Sequence, residues 1–259
     1  MDYQKQLADA ESEIIAEFGE RFRAYGHDLA LMRRLRTLGF DPKTIYDVGS
    51  SDGIWSAVST RVFPTARFEL FEPLVEISEE YRGWLQASHE TKRFPASAEV
   101  QAHPVALGRR NGTCQMTVYP SAVGSTSLAL RGLPEGARAV KVPSWKLDAY
   151  SRREKLPPPD LLKLDTQGSE LEILQGAKAL LPKVSAILCE CWLFRGYGAQ
   201  TPLWIEIADF LAPIGFFIYD MGWQYRRPDD HRLATVDLLF LRRDLPFSPL
   251  RHFSQADLR

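Results

Sequence analysis

Leu7, Ile14, Phe18, Phe22 and Tyr25 stand three, four or seven positions apart, which predicts a helical segment reaching to about residue 38. Gly39 and Pro42 end that pattern, and Thr44–Val48 follows as a short β-type run closing on a glycine-bearing turn. Trp55, Val58 and Val62 return to helical spacing until Pro64 stops it. Arg67–Phe71 alternates like a second strand, Leu74 to about Ser88 reads as helix, and Val100–Val105 as a third strand. From 108 to 159 the alternation breaks into Gly, Pro and Ser residues with β-like runs at Thr113–Tyr119 and Ala139–Val142. This stretch is expected to be an insertion that decorates a sheet. Strand then helix return in order: Leu161–Leu164, Ser169–Leu181, Ala186–Cys191 and Pro202–Leu211. The last predicted feature is a hairpin of Phe216–Tyr219 and Val236–Leu241, joined by a polar loop holding Trp223, Tyr225 and His231.

Repeated β-then-α units imply an α/β fold, a mostly parallel sheet with helices on both faces. Such doubly wound sheets bind ligands at the carboxyl ends of their strands, where the strand order reverses. The expected organisation is an N-terminal helical segment (1–40) acting as lid or dimer contact, one domain (41–243), and a tail (244–259).

Composition narrows the function classes. Among 259 residues, 45% are hydrophobic and 25% charged, as in ordinary globular chains. A net charge of -1 lacks the basic excess of a nucleic-acid binder. No apolar run has the length of a membrane span, and the charged start is unlike a signal peptide. A cytoplasmic protein without membrane or nucleic-acid partners is expected. Cys114, Cys189 and Cys191 fit neither a disulfide framework nor a metal-ligand spacing and read as small buried hydrophobes.

The chemistry should sit at the strand ends. The first strand closes on Asp47-Val48-Gly49-Ser50-Ser51-Asp52-Gly53, and a helix starts directly after it. Its D-x-G-x-x-x-G spacing differs from the G-x-G-x-x-G that seats a pyrophosphate, and no G-x-x-x-x-G-K-[ST] phosphate loop occurs. Glu72 and Pro73 end the second strand, about 20 residues on, where a carboxylate can accept both ribose hydroxyls. A glycine turn and an acid without a phosphate motif suit an adenosine lacking pyrophosphate, as in S-adenosylmethionine.

Lys163 and Asp165 lie two apart on a leucine-flanked strand and share a face, so the lysine needs a carboxylate, from Asp47 or Glu190. Ser169 and Glu172 read as a capping box, with Glu170 in the same first helical turn. Asp47, Asp165 and Glu190 thus end adjacent strands around one crevice. With no histidine at ligand spacing, no metal is expected.

Together these residues resemble FkbM-type methyltransferases over about Thr44 to Arg243. The most specific piece is Lys163-x-Asp165-x-x-Gly168-x-Glu170-x-x-x-Leu174-x-Gly176-Ala177. Asp47-Val48-Gly49, Phe71-Glu72-Pro73, Val105-Ala106-Leu107, Ser125-Thr126-Ser127-Leu128, Leu147-Asp148 and Val236-Asp237-Leu238-Leu239-Phe240 accompany it. The resemblance implies a Rossmann-like, seven-stranded sheet whose last strand is antiparallel, S-adenosylmethionine as cofactor, and O-methylation of natural-product scaffolds, sugars or polysaccharide units. The turn after Gly49 reads Ser50-Ser51-Asp52, where the family more often has a small residue followed by Asn.

The expected cofactor contacts are Asp47, Gly49, Ser50, Gly53, Glu72, Pro73, Ala106 and Asp165. Asp165 is the first candidate for general base, then Glu190, then His231. Arg195, Tyr197 and Trp223 are expected beside a small-molecule or sugar acceptor, and Trp192, Tyr197 and Trp223 offer aromatic faces to a sulfonium. Alternatives are an N-methyltransferase acting on a small molecule and a non-catalytic interaction protein that keeps the fold. A nicotinamide reductase is disfavoured by the glycine spacing and the absence of a Tyr-x-x-x-Lys pair.

Overall fold

A computed structural model describes residues 3–77, 94–95, 97–119, 124–128 and 132–245. The N-terminal segment is two helices, α1 (Tyr3–Phe18) and α2 (Tyr25–Thr37), rather than one. Gly19 adopts φ 99°, a left-handed value costly for other residues, and a 3-10 turn at Glu20–Phe22 reverses the chain. Apolar spacing continues across the break, so periodicity does not reveal it. The helices carry fully buried Ala10, Ile14 and Leu29 into the same core as the sheet. At roughly 2 kcal/mol for each fully buried Leu or Ile, the hairpin is firmly docked.

The main strands are β1 (Thr44–Val48), β2 (Arg67–Phe71) and β3 (Glu99–His103). A small antiparallel-and-parallel sheet follows from β4 (Ala106–Leu107), β5 (Gly112–Val118) and β6 (Arg138–Trp145), in the order β4-β6-β5. The main sheet resumes with β7 (Leu161–Leu164), β8 (Ala186–Trp192), β9 (Phe216–Arg226) and β10 (Leu233–Arg242). Its seven strands run β3-β2-β1-β7-β8-β10-β9, with β10 alone antiparallel to its neighbours. Strand order reverses between β1 and β7.

Side chains divide across this sheet by the pleat. Ile45, Leu161, Leu239 and Leu241 face the core shared with α1, α2 and α3 (Ile54–Ser59). Tyr46, Leu162, Leu238 and Phe240 face the opposite core, beneath α5 (Glu170–Gln175) and α6 (Trp204–Leu211). The short helix α4 (Leu147–Arg153) packs into that second core through Leu147 and Tyr150.

Three further predicted elements differ. The C-terminal hairpin is longer than expected: Trp223 and Tyr225 belong to β9, leaving only a short turn before β10. As an edge strand β9 is half exposed, and its polar alternation resembles a loop. The helix expected over Ser169–Leu181 stops at Gln175, followed by a 3-10 turn at Leu181–Lys183. Of the helix expected from Leu74, Pro73–Glu76 is a 3-10 turn, and the remainder lies outside the described residues. No helix among the described residues is long and apolar enough to cross a membrane.

Candidate active site

The reversal of strand order brings the ends of β1, β2 and β7 together, and backbone hydrogen bonds tie them. Gly49 N–H donates to the Phe71 carbonyl at 2.9 Å, and Asp165 N–H to the Val48 carbonyl at 3.0 Å. Gly49 takes φ 77°, and a Cβ there would stand 1.9 Å from the Asp165 carbonyl oxygen. Only glycine fits this crossing.

Behind the turn lies a charged core. Lys163 Nζ is 3.3 Å from Asp47 Oδ1 and 3.3 Å from Asp165 Oδ2, with the Trp55 ring centre at 5.7 Å. The lysine's partners are therefore Asp47 and Asp165, not Glu190. Burial favours a neutral amine, but Asp47 and Asp165 outweigh it and hold the Lys163 ammonium well above its ordinary range. Asp47 is fully buried and also accepts from Ser56 Oγ at 2.7 Å. Asp165 faces outward with its side chain 40% exposed.

A cleft of about 420 Å³ opens over these strand ends. Val48, Phe71, Pro73, Leu74, Val105, Ala106, Leu107 and Met116 form its apolar wall, and Asp52, Glu72 and Asp165 bring carboxylates to it. Glu72 accepts from Leu74 N–H at 3.0 Å and Ser51 N–H at 3.1 Å, so its side chain is fixed between two turns. Burial pushes its carboxyl up to about 7.

The loop after β7 is shaped by Glu170 rather than by the expected capping box. Glu170 is fully buried, and its Oε1 accepts from Thr166 N–H, Thr166 Oγ1 and Gly168 N–H at 2.8, 3.0 and 3.1 Å. Ser169 makes no capping hydrogen bond; its hydroxyl pairs with Ser127 Oγ at 2.6 Å instead. Glu172 points outward, 3.8 Å from Arg109. Thr126 Oγ1 donates to the Gln167 carbonyl at 2.7 Å. Two distant motif pieces, Ser125–Leu128 and Lys163–Glu170, thus dock on each other across the cleft.

The sequence-predicted residues divide by position. Gly49, Glu72, Pro73, Ala106 and Asp165 line the cleft. Asp47, Ser50 and Gly53 stand behind that lining; Ser50 is buried with its hydroxyl unpartnered among the described residues. Tyr197 backs the cleft, its hydroxyl 2.9 Å from both the Gly124 carbonyl and Gln167 Oε1. Glu190 accepts from Gln167 Nε2 at 3.1 Å, the same amide that donates to Asp165 Oδ1 at 3.0 Å. Burial, then Asp165, Glu170 and Asp237, push the Glu190 carboxyl well above its ordinary range.

Four predicted residues are placed away from the lining, among them Trp192, which packs edge-on against Tyr197 at 5.1 Å. Arg195 clamps Glu206 at 2.9 Å and the Thr201 carbonyl at 2.6 Å, holding the loop ahead of α6. Trp223 packs edge-on against His27 at 5.2 Å. His231 is exposed in the β9–β10 turn, where its carbonyl accepts from Arg226. Sequence reasoning missed Gln167, whose φ of 58° no pattern signals, and the N-terminal turn, whose Arg21, Phe22, Ala24 and Tyr25 also line the cleft. Among the described residues no group of three or more His, Cys, Asp or Glu side chains could hold a metal ion.

One buried acid makes a testable statement about stability. Asp28 on α2 is 5% exposed with Oδ1 unpartnered, and burial raises its carboxyl to about 7, with Lys163 opposing and Asp165 and Asp47 adding. The folded state then binds a proton that the unfolded chain releases near pH 4. Stability falls as pH rises between those values, by at most about 1.4 kcal/mol per pH unit for this group. Glu72 acts in the same direction. Melting temperature is expected to be higher at pH 5 than at pH 8, and Asp28→Asn to raise it at pH 8 and flatten the decline. An unchanged or steeper decline in the variant contradicts this.

Among solved structures, the chain is similar to a precorrin-6y C5,15-methyltransferase from Geobacter metallireducens GS-15, at 13% identity, 83% of this chain, 87% of that one and TM-score 0.43. It is also similar to an O-methyltransferase family protein from Burkholderia thailandensis, at 10% identity, 91% of this chain, 59% of that one and TM-score 0.44. A curated relative, Methyltransferase 1 of Beauveria bassiana (strain ARSEF 2860), is 24% identical over 153 residues, 52% of this chain and 59% of its own length. The chain thus spans about three fifths of that relative. Residues 47–219 match the family described as methyltransferase FkbM domain, and the chain belongs to that family.

Proposed function

We propose that the protein transfers a methyl group from S-adenosylmethionine to a hydroxyl oxygen on a small-molecule or sugar acceptor. The observation that carries this is the cleft itself: a glycine-only turn, a fixed carboxylate and an apolar wall meet where strand order reverses. The residues fit the cofactor by their chemistry. Glu72 has lone pairs to spare beyond its two backbone donors, suited to a ribose diol. Phe71, Pro73 and Leu74 offer an apolar face to a purine, and the Gly49 backbone leaves room for close approach. Bound there, the cofactor would supply the activated methyl group on its sulfonium.

The chain's own part is to hold the acceptor and receive its proton. Of the three candidate bases, Asp165 alone lines the cleft. Lys163 and the Gln167 amide fix its two oxygens at 3.3 and 3.0 Å, leaving exposed surface for an acceptor hydroxyl. Glu190, its carboxyl pushed above its ordinary range by burial, stands off the cleft lining and stiffens the base through Gln167. Asp165→Asn is expected to lower turnover by about 100-fold or more while S-adenosylhomocysteine still binds. Full turnover in the variant would remove Asp165 from this role.

The reading is tested with methyl-labelled S-adenosylmethionine and a metabolite extract, the labelled products being identified by mass spectrometry. Label on oxygen is expected; label on nitrogen would shift the reading to N-methylation. Such an enzyme would work as a soluble cytoplasmic protein, and a homodimer through the N-terminal segment is compatible with it.

A further inference from the structure

Four cleft residues come from outside the family-matched region 47–219: Arg21, Phe22, Ala24 and Tyr25, in the turn between α1 and α2. That turn is ordered by its own side chains. The Arg21 guanidinium lies 4.4 Å from the centre of the Phe22 ring, which stacks on Tyr25 at 6.1 Å. Its neighbouring cations are already matched. Arg23 pairs with Glu11 at 3.0 Å and Glu20 at 2.8 Å, and Arg61 pairs with Glu17. Arg21, exposed and facing the cleft, has no carboxylate at ion-pair distance among the described residues.

The same cleft carries the carboxyl groups of Asp52, Glu72 and Asp165, and the nearby Lys163 is engaged by Asp47 and Asp165. A ligand carboxylate would be repelled by those acids and, among the described residues of the lining, has Arg21 as the cation to meet. A ligand with both a carboxylate and an ammonium would fit across the cleft in one sense only, ammonium to the acids and carboxylate to the arginine. The tail of the proposed cofactor is such a group. We infer that the α1–α2 turn is a wall of the cofactor cleft, and that Arg21 holds the carboxylate of the cofactor's amino-acid tail through a charge-assisted hydrogen bond. This rests on the proposed use of S-adenosylmethionine and adds a binding residue from the N-terminal segment.

The test compares S-adenosylhomocysteine with 5′-methylthioadenosine, the same nucleoside thioether without the amino-acid tail, by calorimetry on the intact protein. Arg21→Gln is expected to weaken S-adenosylhomocysteine by about tenfold. Methylthioadenosine should change by less than about twofold, because it lacks the group the arginine holds. Arg21→Lys should recover part of the loss, and Arg23→Gln, at a residue that does not line the cleft, should change neither ligand. An unchanged affinity for S-adenosylhomocysteine in Arg21→Gln, or equal losses for both ligands, overturns the inference. If the parent protein binds neither ligand, the cofactor reading itself fails instead.

Discussion

Gly49→Ala is expected to lower affinity for S-adenosylhomocysteine by about 100-fold or more, equivalent to about 3 kcal/mol of lost fit. The cause is geometric. An alanine at φ 77° costs roughly 1–2 kcal/mol in backbone strain alone. The methyl group does more damage, because it would stand 1.9 Å from the Asp165 carbonyl oxygen and 3.1 Å from Thr166 Cγ2. Both neighbours are held, Asp165 by its backbone bond to Val48 and Thr166 by Glu170. The ends of β1 and β7 must therefore part, and the cleft over them deforms. Gly39→Ala separates strain from clash, because Gly39 has φ 95° and nothing within 4 Å of its would-be Cβ. It should cost stability and leave binding alone. Calorimetry on both variants checks this, and undiminished binding by Gly49→Ala contradicts the placement of the site.

Lys163→Met is expected to destabilise the fold by about 3–5 kcal/mol, the cost of removing one member of a buried ion pair. Asp47 is fully buried and its Oδ1, 3.3 Å from the ammonium, has no hydrogen-bond partner among the described residues, so without Lys163 its charge is uncompensated. For a chain of this size that corresponds to a melting temperature lower by roughly 10 °C. The double variant Lys163→Met, Asp47→Asn should recover more than half of the loss, since the stranded charge is then gone. Denaturant unfolding of the three proteins measures this directly. A single variant within about 1 kcal/mol of the parent would mean the pair behaves like a surface ion pair.

The strand ends were readable because two periods coincide there: alternating or continuous apolar runs, then a glycine or an acid where the run stops. Gly49, Glu72 and Asp165 are legible that way, and the cost of burying Lys163 calls for a carboxylate from Asp47 or Glu190, of which the structure supplies Asp47. The N-terminal wall was not readable. Phe22 and Tyr25 continue the helical spacing of Ile14 and Phe18 across Gly19, so they look like one more core-facing stripe. The β9 strand hid because half of its side chains meet solvent, which gives an edge strand the composition of a loop. Local rules also misplaced roles within a motif. Ser169 and Glu172 have capping-box spacing, yet the loop between Asp165 and Glu170 folds back so that Glu170 takes the backbone donors. Arg195 shows the same limit, because Glu206, eleven residues on, claims its charge.

The central claim is that the recess over β1, β2 and β7 is a nucleoside-thioether site without a pyrophosphate cradle. Titration calorimetry with S-adenosylhomocysteine and, separately, NAD tests it most directly. Saturable, micromolar, one-to-one binding of S-adenosylhomocysteine that is lost in Gly49→Ala is expected, with no heat from NAD. Binding of NAD, or of neither ligand, would contradict it.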